Sequence, residues 1–303
     1  MPKSSAFVPG HISGFFQVCN EFNDPARKGS RNCGPCIGAG VLTEVKTRES
    51  SSSKIEIFIN DKEAPTALTS RTVVGEILKI LDKPFEIKVN HKVKAPIGAG
   101  YGTSGAGAIG AALAVSRALK LRLDRSKVFS LAHKAEVLCG TGLGDVGAQM
   151  RGGLIVGLEP GCFPYGKLKE IGITKDMSIV CGTLGPFSTS ELLNDPEFRN
   201  RSKKAGSRAL KDFLSDESIK NFMKVSREFV SELGILDEEL MEILDGVSSD
   251  CPWGASVVML GRAIFAPARP SESKEVRKGF LNYFDRKSVM VPKVDFEGAR
   301  IST

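Results

Sequence analysis

Apolar and polar residues alternate over residues 85–89: Phe85, Ile87 and Val89 are apolar, Glu86 and Lys88 are charged. A period of two predicts a strand with one buried face. Similar runs predict strands over residues 6–11, 41–45, 55–59, 152–158 and 179–183. Elsewhere the period is helical. Val73, Val74, Ile77, Leu78 and Leu81 predict a helix over residues 69–81, and Val128, Phe129, Leu131, Ala132, Ala135 and Leu138 form a second stripe, with Asp124 or Ser126 as its N-cap. Between them, an Ala-rich run carrying Ile109, Leu113, Val115 and Leu119 is apolar almost all round, so it predicts a buried helix. The second half differs in texture. Helices are predicted around residues 201–214, 219–233 and 238–244, then a strand, a helix and a strand near 263–265, 274–284 and 288–291.

The turn between the strand at 85–89 and the buried helix holds Pro96, Gly98, Gly100 and Gly102, followed by Thr103 and Ser104. A glycine-rich turn feeding a helix N-terminus suits phosphate, because main-chain N–H groups approach closely and the helix dipole favours an anion. It is not a Walker A loop, which needs Lys before Ser or Thr. Gly105, Gly107 and Gly110 spell G-x-G-x-x-G, but inside the helix, where they read as close-packing glycines. A small-residue helix packed on a sheet accounts for part of this pattern without any ligand.

The string PIGAGYGTSGA at residues 96–106 resembles the central motif of the GHMP small-molecule kinases, which bind ATP phosphates there. FVPGHISGFF at residues 7–16 is similar to a shortened form of their first motif, with His11 at a usually basic position; His11 equally fits a simple turn residue. Gly254, Ala255, Ser256 and Gly261 stand where the third, small-residue motif belongs. The resemblance implies an α+β GHMP kinase fold of two lobes with the ATP site between them. Residues 1–170 would form the N-terminal domain and 171–303 the C-terminal one. It implies nucleotide contacts from Pro96, Gly98, Ala99, Gly100, Tyr101, Gly102, Thr103 and Ser104.

Phosphoryl transfer asks a protein mainly for positioning and charge neutralisation. Mg²⁺ takes hard oxygen ligands, and Ser104 with Glu136 is the natural pair. The acceptor hydroxyl needs a carboxylate beside it, and Asp145, in a glycine-rich loop nine residues after Glu136, is the candidate. Each residue has a plainer reading: Ser104 as an N-cap, Glu136 as a solvated helix residue, Asp145 as a turn former. Together, in this order, they resemble the GHMP arrangement. Ser30, His133, Arg151 and His11 are the candidates for holding the acceptor, with surface placement the plainer reading of Arg151. The loop at residues 24–31 carries Arg27, Lys28 and Arg31, which are expected to be solvated or to steer a carboxylate.

At 303 residues the chain is expected to form one large domain or two lobes, and a net charge of +7 suits anionic ligands. The basic residues are scattered and aromatics are few, which disfavours a nucleic-acid surface. No basic-then-apolar leader and no membrane-length apolar run are evident, so a cytoplasmic location is expected. Seven dispersed cysteines fit reduced thiols. Cys33-Gly-Pro-Cys36 lacks the strand-then-helix context of a redox pair and reads as two thiols near a turn. Over nearly the whole length, GTGLGDV at residues 140–146, GPFST at 185–189 and MLG at 259–261 resemble the archaeal pantoate kinases. That resemblance implies ATP-dependent, Mg²⁺-assisted conversion of (R)-pantoate to (R)-4-phosphopantoate on the route to coenzyme A, with a homodimer as an open expectation. A mevalonate- or homoserine-type kinase, or a nucleotide sensor without turnover, are the alternatives.

Overall fold

The larger sheet is assembled on one long strand. In the computed structural model, which describes residues 2–186 and 195–302, β3 (Gly29–Glu49) pairs along its second half with β1 (Lys3–His11) on one side and β6 (Phe85–Val93) on the other, both antiparallel. β13 (Arg300–Ser302) adds to β1, and β4 (Lys54–Ile59) lies parallel to β6 with β5 (Lys62–Glu63) beyond it. The first half of β3 has other partners: β2 (Phe15–Cys19) and β7 (Leu154–Glu159), which continues to β8 (Lys167–Ile171). The exchange of partners comes where the β1 pairing slips between Val8 and Gly10.

Three helices stack on one face of this sheet, α1 (Leu68–Leu78) and α2 (Thr103–Ala118) against it and α3 (Arg125–Cys139) on top of them. The buried, Ala-rich character of α2 follows from its place between the sheet and both other helices. Asp124 caps α3, accepting from the Lys127 N–H at 2.7 Å. A short helix, α4 (Asp145–Arg151), leads into β7.

The remainder forms a four-stranded sheet in the order β10 (Ser256–Val257), β11 (Arg262–Ala268), β9 (Ser178–Gly185), β12 (Val289–Met290), with helices α5 (Pro196–Ser215), α6 (Ile219–Leu233), α7 (Glu238–Ser248) and α8 (Ser273–Phe280). Its apolar core runs on across residue 170 to the β2 side chains. Phe15 lies 5.8 Å from Phe213 and 6.3 Å from Phe222, and Phe16 lies 5.4 Å from Phe229, ring centre to ring centre. Such pairs contribute about 0.5–1.5 kcal/mol each beyond burial, so they fasten the β2 strand to the later helices.

Two expectations are corrected. Cys33 and Cys36 stand on β3 and not in a turn, and residues three apart on a strand project to opposite faces. Accordingly each belongs to a different apolar cluster, and burial raises both thiols well above the usual range. The basic loop ends sooner than expected, because Gly29, Ser30 and Arg31 already pair with β2. The Phe187, Ser188 and Thr189 portion of the GPFST string lies outside the described residues.

Candidate active site

After β6 the chain turns through residues 96–102 and enters α2. Gly98, Gly100 and Gly102 have φ of +76°, +83° and +63°, the region that side chains resist. At Gly100 the approach is also close, since a Cβ would stand 2.6 Å from the Met259 carbonyl oxygen. Ala99 and Tyr101, between the glycines, turn inward; the Tyr101 ring is buried and its hydroxyl is 2.8 Å from Thr183 Oγ1. The loop therefore offers main chain to the pocket it borders. Gly102 is the N-cap of α2 and supplies no side-chain acceptor, which leaves the first-turn N–H groups uncapped beside the pocket.

Ser104, on the first turn of α2, donates its hydroxyl to Glu136 Oε1 at 2.6 Å. Thr141 donates to the same oxygen at 2.7 Å, and Thr69 of α1 bonds both hydroxyls. Ser104 is thus no N-cap, and Glu136 is no solvated helix residue: only 2 % of it is exposed. Burial pushes its carboxyl from the usual 4.5 up to about 7; the two hydroxyls oppose this and the nearby Asp145 charge adds to it.

Asp145 is the first residue of α4 and follows the glycine-rich loop at 140–144. His11, fully buried, donates from Nδ1 to Asp145 Oδ1 at 2.7 Å, and its own main-chain N–H bonds the Tyr101 carbonyl. The two carboxylates converge on Gly142, where an added Cβ would collide with Glu136 Oε2 and stand 3.7 Å from Asp145 Oδ2.

The opposite wall comes from β2, the turn just before it, and β3. Ser13, Phe16, Ser30 and Asn32 face the pocket, Asn32 donates to Ser13 Oγ at 3.1 Å, and the Ser30 N–H bonds the Leu143 carbonyl. Met259 and Leu260 complete the rim; among the described residues they are the lining residues that come from beyond residue 170. The enclosed volume is about 420 Å³.

The structure brings together Gly98, Gly100, Tyr101 through its main chain, Gly102, Thr103, Ser104, Glu136, Asp145 and Ser30. Pro96 and Ala99 support the loop without lining the pocket. His11 lies behind Asp145 and not on the pocket wall. His133 is buried too: its Nε2 donates to the Lys28 carbonyl at 2.9 Å, and burial holds its basicity down. It braces the loop that leads to Ser30. Arg151 is a correction. Six residues along α4 from Asp145 amount to about 9 Å of rise and about a third of a turn round the helix, and Arg151 is exposed beside Phe163 in a separate hollow. Arg27 and Arg31 also face away from this pocket, into a different hollow.

Four contributors escaped sequence reasoning: Ser13, Asn32, Thr141 and Gln149. Gln149 is fully buried and donates to the Gly102 carbonyl at 2.8 Å, tying α4 to the start of α2. A polar residue standing inside an apolar stretch was the available signal for Gln149, and Thr141 sits between two of the loop glycines; Asn32, next to Arg31 in a polar run, gave no such signal.

The chain is similar to known proteins over most of its length. The family model described as the GHMP kinases N terminal domain matches residues 69–153. The chain is 31% identical over 260 residues to the pantoate kinase of Methanocaldococcus jannaschii, covering 86% of this chain and 90% of that one. It is 31% identical over 279 residues to the pantoate kinase of Thermococcus kodakarensis, covering 90% of each. Among solved structures, a "Phosphotransferase related to CoA biosynthesis pathway" superposes with a TM-score of 0.88 at 26% identity, over 99% of this chain and 98% of that one. The homoserine kinase of Cytophaga hutchinsonii, at 13% identity and a TM-score of 0.72 over 100% and 98%, shares the fold.

Proposed function

We propose a reaction from one premise: the chain belongs to the pantoate kinase family. It transfers the γ-phosphoryl group of ATP to the primary hydroxyl of (R)-pantoate, yielding (R)-4-phosphopantoate and ADP on the route to coenzyme A. The observation that carries this reading is the convergence of Glu136 and Asp145 between the uncapped start of α2 and the β2–β3 wall.

The glycine loop and the first turn of α2 receive the triphosphate through main-chain N–H groups. Ser104, Glu136 and Thr141 offer the hard oxygens that Mg²⁺ takes, so the donor set fits that ion, which when bound neutralises phosphate charge. Asp145 accepts the proton of the attacking hydroxyl, and His11 fixes the orientation of its carboxylate. Ser30, Ser13 and Asn32 hold the acceptor, while His133 acts one step removed by bracing residues 28–30. Residues 1–170 serve as the N-terminal domain and 171–303 as the C-terminal one, the latter closing the rim with Met259 and Leu260.

An ADP-release assay over pantoate, mevalonate, homoserine and shikimate tests the reading. Pantoate is expected to support turnover well above the others. Preference for mevalonate or homoserine would reassign the substrate, and tight ATP binding without turnover on any alcohol would make the chain a sensor.

A further inference from the structure

We propose that the reverse face of the β2–β3 ribbon carries a second binding site, for a small organic anion that also bears a hydroxyl or N–H donor. Alternation along the two strands sets this up. Phe16, Ser30 and Asn32 face the first pocket, whereas Gln17 and Arg31, directly opposite each other in register, line a hollow of about 400 Å³ on the other side.

The chemistry of the hollow is unsatisfied. Gln17 is 5 % exposed, yet among the described residues its side-chain carbonyl has no hydrogen-bond partner, and the buried Nε of Arg31 has none either. Leaving such groups unpaired is costly, so they invite a partner. Neither Arg27 nor Arg31 forms an ion pair among the described residues. The Arg27 guanidinium is instead held between two rings, 4.0 Å from the centre of Phe22 and 5.3 Å from that of Tyr165. Glu21 at the rim is neutralised by Lys203, and Glu159 is the remaining acid. Two arginines present forked donors that match phosphate or carboxylate oxygens. The Gln17 carbonyl takes the donor that the same molecule supplies. Ser30 precedes Arg31 directly, so occupancy of this hollow bears on the wall of the first pocket.

Calorimetric titration tests the site without relying on turnover, and therefore independently of the reaction proposed above. The first pocket is kept saturated with a non-hydrolysable ATP analogue together with pantoate, and glycerol 3-phosphate, lactate and inorganic phosphate are added in turn. One further site is expected for glycerol 3-phosphate or for lactate, and which of the two binds assigns phosphate or carboxylate. Arg27→Ala and Arg31→Ala should each weaken it about 10- to 100-fold, as for a lost charge-assisted hydrogen bond. Gln17→Leu should abolish the advantage of glycerol 3-phosphate over inorganic phosphate. Absence of a further site, or unchanged affinity in the Arg27→Ala variant, overturns the proposal. Because Arg27 is exposed on a loop, that variant decides the matter even if Arg31→Ala fails to fold.

Discussion

The glycine loop at residues 98–104 is contiguous, whereas the wall facing it draws Ser13 and Ser30 from either end of a β-ribbon and Asp145 from a helix far along the chain. The loop contributes main-chain groups, so its identity lies in glycine and in the backbone angles glycine allows. The ribbon contributes side chains whose direction depends on strand register, and a slip of one residue would turn Ser30 and Asn32 away and bring Arg31 in. One side of the pocket is therefore fixed by local sequence, and the other by pairing at long range. The two carboxylates differ likewise: Glu136 is sealed among three hydroxyls, while Asp145 keeps a quarter of its side chain exposed to the pocket and leans on His11.

The largest effect is expected from Asp145→Asn. The amide keeps the contact to His11 and the fold, but it cannot accept the acceptor's proton, so kcat should fall about 10²–10⁴-fold with ATP binding intact. A near-normal rate would remove Asp145 from the chemistry.

Glu136→Gln comes next and separates the carboxylates. Activity should fall roughly 10- to 100-fold through weaker Mg²⁺ binding, while stability without Mg²⁺ moves the other way. A carboxyl raised from 4.5 to about 7 holds its proton in the folded state over a range where the unfolded chain has released it. Its contribution is therefore present below pH 4.5 and is lost as pH rises to about 7. Above that, Glu136→Gln should be more stable than the parent by up to ~3 kcal/mol, seen as a raised Tm. For the same reason Mg²⁺ affinity of the parent should weaken about tenfold per pH unit below 7. An unchanged Tm would contradict the burial argument.

A pair of glycine variants tests the division of labour between the two sides. Gly100→Ala adds a side chain at φ +83° against the Met259 carbonyl and should raise the KM for ATP, by roughly tenfold. Gly144→Ala meets Ser30 Oγ and stands 3.0 Å from Asn32 Nδ2, and should raise the KM for pantoate by a similar factor. Steady-state kinetics in both substrates reads this directly, and a reversed pattern would exchange the two sides. A smaller effect, about three- to tenfold on pantoate KM, is expected from His133→Ala, because His133 braces the loop without lining the pocket. Smallest of all, Cys33→Ala with Cys36→Ala should lower Tm but leave kcat within about twofold, since two buried thiols on opposite faces of a strand offer no chemistry here.

The same contrast explains what could be read from the chain alone. Elements with a strong period were legible: α6 runs over residues 219–233 as predicted, and the turn into α2 announced itself by its glycines. Ser104, Glu136 and Asp145, grouped from their order along the chain, do lie together: Ser104 bonds Glu136, and both carboxylates border Gly142. Arg151 was misplaced because nearness in sequence says nothing about which side of a helix a residue occupies. Cys33 and Cys36 were misread because Gly34 and Pro35 signal a turn locally, and pairing with β2 and β7 overrides that signal. Ser13 and Asn32 could not be joined without knowing the register of β2 on β3.

The most direct test of the central claim is to identify the product itself. Pantoate and ATP are incubated with the parent chain and with Asp145→Asn, and phosphorus NMR follows the transferred group. The account predicts a phosphomonoester on the primary hydroxyl, formed with one ADP per turnover by the parent and nearly absent with the variant. An acyl phosphate on the pantoate carboxylate, or the same phosphomonoester formed at an undiminished rate by Asp145→Asn, would contradict it.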